Sequence, residues 1–332
     1  MKNWIKSHGV VSIIIAGALL LGVAGLFTVP YFLHRAAMQN EGSQIAMPTI
    51  MDSSGLFEPG VQKPQDQDTM AAATQMPGPF SVSELQAKLS AFEESTAYVE
   101  IGGFSLSTHD MGLLDSAMAY ANEQDYHVGF LLLDINTGWG IAYNADEEFY
   151  SASSIKGIYV ASLTAKRPES LLNMAEVMYL VVHDSNNDLY FELRQSYGVE
   201  PLMQWCDEAG LDQPIGLEWF PYYTPRTLSK LWLKNYEYFE SAGENMNEIA
   251  SWYTSTNNSP ISKKLGLFYK VYSKAGWIVD GEYSATVDAG IIYAEDHPYI
   301  MVVMSDAPSD FAAIEPVIDA LSEIHYYLYW KP

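Results

Sequence analysis

Ser153 and Lys156 are the residues of this sequence whose types and spacing point most directly to chemistry. They lie three positions apart at the start of an apolar run, so both side chains would share one face of a helix. A serine hydroxyl is a weak nucleophile at neutral pH, and a nearby lysine can act as its base when burial or another cation lowers the lysine pKa. The alternative is that Ser153 or Ser151 caps the helix while Lys156 extends to solvent.

The sequence context of Lys156 favours its role as a base for the serine over a position in solvent. No Lys or Arg occurs between Leu89 and Ile155, although Asp and Glu recur throughout that stretch. A single lysine then stands inside an apolar helix start, where surface lysines are seldom found. Ser151 and Ser154 have no lysine three positions later, so Ser153 is the candidate nucleophile.

Two further polar patterns follow along the chain. Ser185 and Asn187 lie between two apolar helical runs, where the serine could relay a proton and the asparagine could hold a substrate amide. The alternative is an ordinary capped helix boundary. Lys274 stands near the end of an alternating segment and precedes Ala275 and Gly276, so a substrate could lie along a strand edge and accept hydrogen bonds from backbone N–H groups.

Hydrophobic periodicity predicts the elements that must position these residues. A helix is expected from Ser81, because Ser81 and Glu84 resemble a capping box. Further helices are expected around residues 113–121, 150–163, 171–182, 189–197, 224–239 and 246–251, with a closing helix from residue 310. Strands are expected at residues 127–134, 139–144, 266–277, 285–293 and 298–304.

The N-terminal region predicts a membrane anchor and a spacer. Lys2 and Lys6 precede an uncharged, largely apolar run over residues 9–32, which is long enough to cross a bilayer. Residues 1–35 are therefore interpreted as an anchor, 36–80 as a flexible linker and 81–332 as the folded domain. The excess of lysine before the span favours a cytoplasmic N-terminus and an extracytoplasmic domain, that is, a single-pass protein of the cell membrane.

Composition excludes several classes of protein. The 332 residues include 41 acidic and 17 basic side chains, a net charge of -24, which argues against nucleic acid as a partner. One cysteine, Cys206, excludes an intramolecular disulfide and a thiolate metal cluster. The seven histidines form no ligand-spaced pair, so neither a metal site nor a cofactor is predicted.

Taken in order, the three patterns read S-x-x-K, S-x-N and K-x-G, and this triple resembles the signature of class A beta-lactamases and penicillin-binding proteins. The resemblance extends over roughly residues 81–332. It implies an α+β fold in which an antiparallel sheet is flanked by helices, with an inserted all-helical lobe and the cleft between the lobes. Together with the N-terminal segment, this indicates one transmembrane helix followed by a beta-lactamase-like domain.

The resemblance also implies a role for each matching residue. Ser153 would be the nucleophile and Lys156 its general base, Ser185 would shuttle protons, and Asn187 would bind the substrate amide. Lys274 would lower the pKa of the site and attract a substrate carboxylate. The backbone N–H groups of Ser153 and Trp277 would form the oxyanion hole, so residues 275–277 count with Asn187 as substrate-binding.

Some residues depart from the family pattern. Ala275 replaces the usual hydroxyl residue of the third motif, and Asn186 replaces the usual aspartate of the second. Glu218 is the one candidate for a deacylating base, although it lies only a few residues before the next predicted helix. Without such a base an acyl-enzyme would turn over slowly with beta-lactams.

Two hypotheses of function follow. The first is a membrane-anchored extracytoplasmic serine hydrolase that is acylated at Ser153 by a beta-lactam or by a D-amino-acid peptide amide such as a peptidoglycan peptide. The second is a catalytically weak or inactive module that binds cell-wall material or a protein partner.

Overall fold

A six-stranded antiparallel sheet lies at the centre of the fold. Its members are β1 (Val99–Ile101), β2 (Val128–Asp134), β3 (Gly140–Tyr143), β6 (Lys270–Asp280), β7 (Tyr283–Ala294) and β8 (His297–Ser305), while β4 (Phe149–Tyr150) and β5 (Tyr222–Tyr223) form a separate two-stranded sheet. The strands of the large sheet lie in the order β1-β3-β2-β8-β7-β6. β6 is an edge strand, paired along its full length with β7 alone. One side of its backbone therefore stays available to neighbouring elements.

Ten α-helices surround the sheet in the part of the chain that the structure describes. They are α1 (Val82–Ala91), α2 (Thr108–Glu123), α3 (Ser154–Lys166), α4 (Leu171–His183), α5 (Asn187–Tyr197), α6 (Glu200–Glu208), α7 (Pro225–Phe239), α8 (Met246–Ser251), α9 (Pro260–Leu265) and α10 (Glu315–Trp330), with short 3-10 turns at Pro168–Ser170, Ile215–Leu217 and Phe311–Ala313. The prediction of an antiparallel sheet flanked by helices is confirmed.

The computed structural model describes residues 80–93, 97–211, 215–243 and 245–330. The predicted membrane anchor and almost all of the predicted linker lie outside these residues. Within them, no helix has both the length and the apolar character needed to cross a bilayer.

Side-chain alternation along β2 creates the two cores of the protein. Phe130 and Leu132 face the side covered by α2 and α10, whereas Leu131 and Leu133 face the side covered by α3 and α7. Successive side chains of a strand point to opposite faces, so a strand buried on both faces shows a continuous apolar run instead of a polar–apolar alternation. The run at residues 130–133 is therefore apolar at every position, and helix α3, which carries Lys156, packs on one of these faces.

Several element boundaries differ from those expected. The strand predicted from residue 266 begins at Lys270, because the chain leaves α9 through turns in which Phe268 and Tyr269 donate to the Leu265 carbonyl. It also continues to Asp280, beyond the predicted end at Trp277. Strand β1 and helices α6 and α9 were not predicted, since each is too short to show a clear period.

Asp134 joins the end of β2 to the last helix. Its carboxylate accepts hydrogen bonds from the backbone and the hydroxyl of Thr137, both at 2.7 Å, and from His325 of α10 at 3.1 Å. Burial of the carboxyl raises its pKa, but the hydrogen bonds from His325 and Thr137 outweigh this effect and hold the pKa below its usual value.

We expect Asp134→Asn to lower the free energy of unfolding by about 1–3 kcal/mol at neutral pH, because the charge-assisted hydrogen bonds are lost. A carboxyl whose pKa is lowered by folding stabilises the protein above the unfolded-state pKa, and this contribution disappears as the pH falls through the folded-state value. The difference between the two proteins, measured by urea unfolding, should therefore shrink below about pH 4. An equal difference at pH 3 and pH 7 would contradict this assignment.

Candidate active site

Ser153 lies at the junction between β4 and α3. It occupies the N-cap position of the helix, yet its side chain makes no capping hydrogen bond. Ala152, immediately before it, has φ +42°, a left-handed conformation that a non-glycine residue seldom adopts and that marks functional sites when it is held by its surroundings. Ser154, by contrast, donates its hydroxyl to the Ser151 carbonyl at 2.6 Å. The capping alternative therefore does not account for the Ser153 side chain.

Edge strand β6 approaches the start of α3 more closely than a side chain at Gly276 would allow. A Cβ atom at Gly276 would lie 2.5 Å from the backbone nitrogen of Ser154, 2.6 Å from the Ser151 carbonyl oxygen and 2.8 Å from the backbone nitrogen of Ser153. Real Cβ contacts are longer, so only glycine fits. This approach places the strand beside the candidate nucleophile.

The backbone N–H of Trp277 points to the open edge of the sheet. Ser273 donates its own N–H outward to the Tyr253 carbonyl at 2.9 Å. Alternate residues of an antiparallel strand direct their N–H groups to the same side, so Trp277, four residues later, also directs its N–H away from β7. Among the described residues the N–H of Ser153 has no acceptor. Two free donors at neighbouring positions are what an oxyanion hole requires.

Lys156 extends from the first turn of α3 into the protein interior and has no exposed surface. Its Nζ atom donates to the Ser185 carbonyl at 2.6 Å and to Asn187 Oδ1 at 2.5 Å. The aromatic rings of Tyr190 and Phe220 lie 5.7 Å and 5.9 Å from the same atom. The snorkelling alternative for Lys156 is thus excluded, because the ammonium group is held inside and not in water.

Lys274 is also fully buried, and it reaches Ser185 from the opposite side. Its Nζ atom donates to the Ser185 hydroxyl at 2.7 Å and to the Ala275 carbonyl at 2.8 Å. Ser185 has φ +63°, and in this conformation its carbonyl meets Lys156 while its hydroxyl meets Lys274. The three sequence patterns, far apart in the chain, therefore converge on one serine between two lysines.

Neither lysine has a carboxylate in an ion pair within the described part of the chain. Burial lowers the pKa of Lys156 to about 7. Burial and the charge of Lys156 lower the pKa of Lys274 to about 7, against a smaller opposing effect of Asp288. A lysine with such a pKa can give up and take back a proton near neutral pH, which is the property required of a general base.

A cleft of about 320 Å³ opens in front of Ser153. Of the predicted site residues, Ser153, Asn187 and Trp277 line it, and Gly276 borders it through the contact with α3. Ala275 does not line the cleft, since its side chain is fully buried and faces Asp288 of β7 in the strand register. The predicted substrate-binding set is thus only partly exposed to a ligand.

Sequence reasoning missed the other residues of the cleft wall. They come from four separate segments and are Tyr150, Ala152, Phe220, Ile278, Asp280 and Tyr283. Tyr150 and Ala152 could have been found from their position next to Ser153. The others carried no motif, although the β-branched residues Ile278 and Val279 directly after Trp277 were a signal that β6 extends past the predicted end.

Glu218 does not lie in the cleft wall. Its side chain is exposed on the loop after the Ile215–Leu217 turn, and its backbone carbonyl accepts a 3.3 Å hydrogen bond from Arg194. Asp280 is the one carboxylate among the residues that line the cleft, and it stands at the exposed end of β6. Glu218, the predicted candidate for the deacylating base, is therefore not among the residues that line the cleft.

The fold and the site together define a class of protein. The beta-lactamase enzyme family matches residues 160–329, just over half of the chain, so the chain belongs to this family and the resemblance seen in the three motifs is confirmed. The matched region contains Ser185, Asn187 and Lys274 and begins four residues after Lys156. No curated protein matches the sequence.

Solved structures agree with this assignment at the level of the fold. An ancestral class A beta-lactamase (GNCA) is similar with a TM-score of 0.52 and 17% identity, over 65% of this chain and 100% of that one. A beta-lactamase from Sphaerobacter thermophilus DSM 20745 has a TM-score of 0.53 and 16% identity, over 65% of this chain and 96% of that one. At these identities the likeness concerns the fold, and the chemistry of this chain must be argued from its own residues.

Proposed function

We propose that the protein is a serine hydrolase that forms an acyl-enzyme at Ser153 with a beta-lactam or with a D-amino-acid peptide amide. In this mechanism Lys156 takes the proton of the Ser153 hydroxyl as Oγ forms a bond to the substrate carbonyl carbon. The oxyanion accepts hydrogen bonds from the N–H groups of Ser153 and Trp277. The bond to the amine then breaks, and the Ser185 hydroxyl gives its proton to the amine and takes one from Lys274. The proton held by Lys156 then replaces the one lost by Lys274, so the net result is transfer of the Ser153 proton to the amine. Water later adds to the ester carbonyl, and the acid and the Ser153 hydroxyl are released.

One observation carries the proposal, namely two fully buried lysines that form no ion pair with a carboxylate and that both donate to Ser185, Lys156 to its carbonyl and Lys274 to its hydroxyl. Burying an unpaired ammonium group is costly, and a fold stabilised only by packing would place an apolar side chain there. Perturbed titratable groups of this kind cluster at functional sites. Lys156 lies one helical turn from Ser153, and Lys274 lies on the strand whose Gly276 contacts the Ser153 backbone, so both buried ammonium groups belong to the surroundings of the candidate nucleophile.

Covalent labelling tests the proposal. We expect a fluorophosphonate or a labelled penicillin to add one probe mass to the folded protein, measured by intact-protein mass spectrometry, and we expect Ser153→Ala to abolish this addition. Ser116→Ala, at an exposed serine of α2, is the matched control and should label normally. A Ser153→Ala protein that still gains the probe mass would show that another residue is acylated.

The second hypothesis, a binding module without catalysis, has one observation in its favour. In the described part of the chain the Ser153 hydroxyl has no hydrogen-bond partner, and Lys156 is engaged by Asn187 and Ser185 instead. Catalytic hydrogen bonds are often long before the substrate binds, so this geometry is compatible with both hypotheses. Absence of labelling with both probes, in a protein that retains its fold, would favour the binding module.

We further propose that the acyl-enzyme is long-lived with beta-lactams, because Asp280 is the one carboxylate lining the cleft and it stands at the outer end of β6. A slow release suits a peptidase-like or beta-lactam-binding protein better than a resistance enzyme. Persistence of the probe mass for many minutes after excess penicillin is removed would agree with this, whereas loss within seconds would oppose it.

The membrane location stays a proposal that rests on residues 1–35. An anchored, outward-facing domain would meet cell-wall peptides directly. Protease added to intact cells should then degrade the domain, while a protein protected until the cells are lysed would overturn the proposed orientation.

A further inference from the structure

The turn between α9 and β6 exposes two neighbouring apolar side chains. Leu267 and Phe268 are 79% and 76% exposed. The backbone of the turn is nevertheless held in place, because the N–H groups of Phe268 and Tyr269 donate to the Leu265 carbonyl at 3.0 Å and 2.9 Å. The two side chains are therefore presented to solvent by a defined turn.

Three tyrosines extend this apolar surface. The ring of Tyr269 lies 6.4 Å from that of Phe268. Burial raises the pKa of Tyr269, and Tyr326 of α10 adds to this effect, so the two hydroxyls lie near each other. Tyr326 and Tyr327 are both exposed, with 5.8 Å between their ring centroids. Exposed apolar surface that spans several residues marks contact sites with proteins or membranes. The name apolar tip is used below for Leu267, Phe268, Tyr269, Tyr326 and Tyr327.

Lysines flank the apolar tip. Residues 249–279 contain no Asp or Glu, although the chain has 41 of them, and Lys263, Lys264 and Lys270 lie within eight residues of this segment. Lys264 is paired with a carboxylate of α10 at 2.7 Å, and Glu295 also lies near the tip, so the net charge of this surface is small. Aromatic rings and lysines are the side chains that membrane–water interfaces favour, because the ring lies among the headgroups while the ammonium group reaches phosphate.

The apolar tip lies at the end of the sheet where the described domain begins. Lys270 of β6 and Pro298 of β8 face the same residue of β7, and the N–H of Ile135 donates to the Pro298 carbonyl at 2.8 Å, so one row of the sheet joins them. Gly138 lies in the turn that follows, and a Cβ atom there would be 3.3 Å from the ring of Phe80. The residues before Phe80, which include the predicted anchor, therefore join the domain at the same end as the apolar tip.

The Ser153 cleft lies at the opposite end of β6. Trp277, Ile278 and Asp280 line it, whereas the apolar tip comes before Lys270. The eight residues from Lys270 to Ile278 correspond to roughly 26 Å along a strand. A contact between the apolar tip and a bilayer would thus leave the cleft on the side away from the lipid.

We propose that the apolar tip docks the folded domain on the interface of a lipid bilayer and directs the Ser153 cleft away from it. This inference rests on the proposed membrane location and is independent of the acyl-enzyme chemistry. The predicted linker alone would allow many orientations of the domain. The apolar tip selects one of them, because its side chains leave water only when this end faces the bilayer.

A dye attached to the turn tests the proposal. The full chain carries Cys206→Ala and one new cysteine, Leu267→Cys, which is labelled with nitrobenzoxadiazole. It is reconstituted in vesicles of phosphatidylcholine and phosphatidylglycerol. We expect lipids with a nitroxide close to the headgroup to lower the emission at least twofold. The same dye at Val279→Cys, an exposed position at the cleft end of β6, should show almost no quenching.

Phe268→Glu provides the decisive variant. It removes a ring and adds a charge at an exposed position, so the fold should be retained. The quenching of the dye at position 267 should then fall to the level at position 279. Leu217→Glu adds the same charge at an exposed residue three positions before Phe220 of the cleft wall, and it should leave the quenching unaltered.

The outcomes separate this inference from the proposed function. A chain that does not float with the vesicles would overturn both the membrane location and the docking. A chain that floats but shows equal quenching at positions 267 and 279, or quenching that Phe268→Glu does not reduce, would overturn the docking alone. A shift of the dye emission that depends on protein concentration and not on lipid nitroxide would assign the apolar tip to a second copy of the chain instead. Fluorophosphonate labelling of Ser153 tests the hydrolase separately.

Discussion

Lys156→Met should lower the rate of acylation at Ser153 by about 10²–10⁴-fold, the usual contribution of a positioned general base. Methionine resembles the lysine stem in length and shape, so the helix start and the contacts of the stem should be retained. The change removes the one group on α3 that can accept the Ser153 proton. The loss would appear in single-turnover measurements of probe addition, followed by mass spectrometry.

The same substitution should stabilise the folded protein by about 1–4 kcal/mol near pH 6, as is common when buried charges are replaced by apolar residues. Folding lowers the pKa of Lys156 from its usual 10.5 to about 7. Between these values the unfolded chain binds a proton that the folded chain has lost, so the wild-type stability rises with pH in this window. Below about pH 7 the folded protein carries the full cost of the buried charge. The advantage of Lys156→Met should therefore decrease from pH 7 toward pH 10.5.

The rate of acylation of the wild-type protein should rise with pH through about 7, as the lysine pair loses a proton. Two lysines that share one serine titrate as a coupled pair, so the apparent pKa belongs to the pair and not to Lys156 alone. Lys156→Met should abolish the rising limb.

Lys166→Met is the matched control for both measurements. It lies on the same helix, but it is paired with Glu208 near the surface. This variant should change neither the rate of acylation nor its pH profile. If Lys156→Met is acylated within threefold of the wild-type rate, Lys156 is not the general base. If its gain in stability does not change with pH, the buried charge of Lys156 is not the cause of that gain.

Gly276→Ala should lower the rate of acylation by about 10²-fold, because a displacement of about 1 Å at the reacting groups has an effect of this size. The added Cβ would meet three backbone atoms of residues 151–154 at 2.5–2.8 Å, and backbone cannot rotate away as a side chain can. Either β6 or the start of α3 must shift, which separates the N–H of Trp277 from that of Ser153. We expect a loss of about 1–3 kcal/mol in the free energy of unfolding, as for other overpacked positions.

Gly112→Ala is the control for the glycine substitution. Its Cβ would meet no atom within 4 Å, and it lies inside α2, so alanine should slightly stabilise the protein without affecting acylation. The rate loss in Gly276→Ala must persist in protein shown to be folded by its thermal transition. Unaltered acylation in this variant would mean that the close approach of β6 does not form the oxyanion hole.

The sequence predicted the parts of this protein that depend on near neighbours. The capping box of Ser81 and Glu84 is present at the start of α1, because its hydrogen bonds join residues three apart. The apolar run of β2 predicted a buried strand, and every position of the observed strand is buried. Errors occurred at element boundaries, as for the strand predicted from residue 266, because side-chain alternation does not reveal that the N–H groups of Phe268 and Tyr269 donate to the Leu265 carbonyl at the end of α9.

By itself, the sequence determined which residues could carry the chemistry: a serine and a lysine on one helical face, and two further motifs in the order of a known family. Only the tertiary structure decided that Lys156 and Lys274 are buried without forming an ion pair with a carboxylate, that Ser185 lies between them, and that Tyr150, Phe220, Trp277 and Tyr283 line the cleft together with Asp280. The physical reason is that residue types and local spacing are properties of short segments. The charge state of a lysine and the lining of a cleft depend on solvent access and on groups that folding brings together from distant parts of the chain.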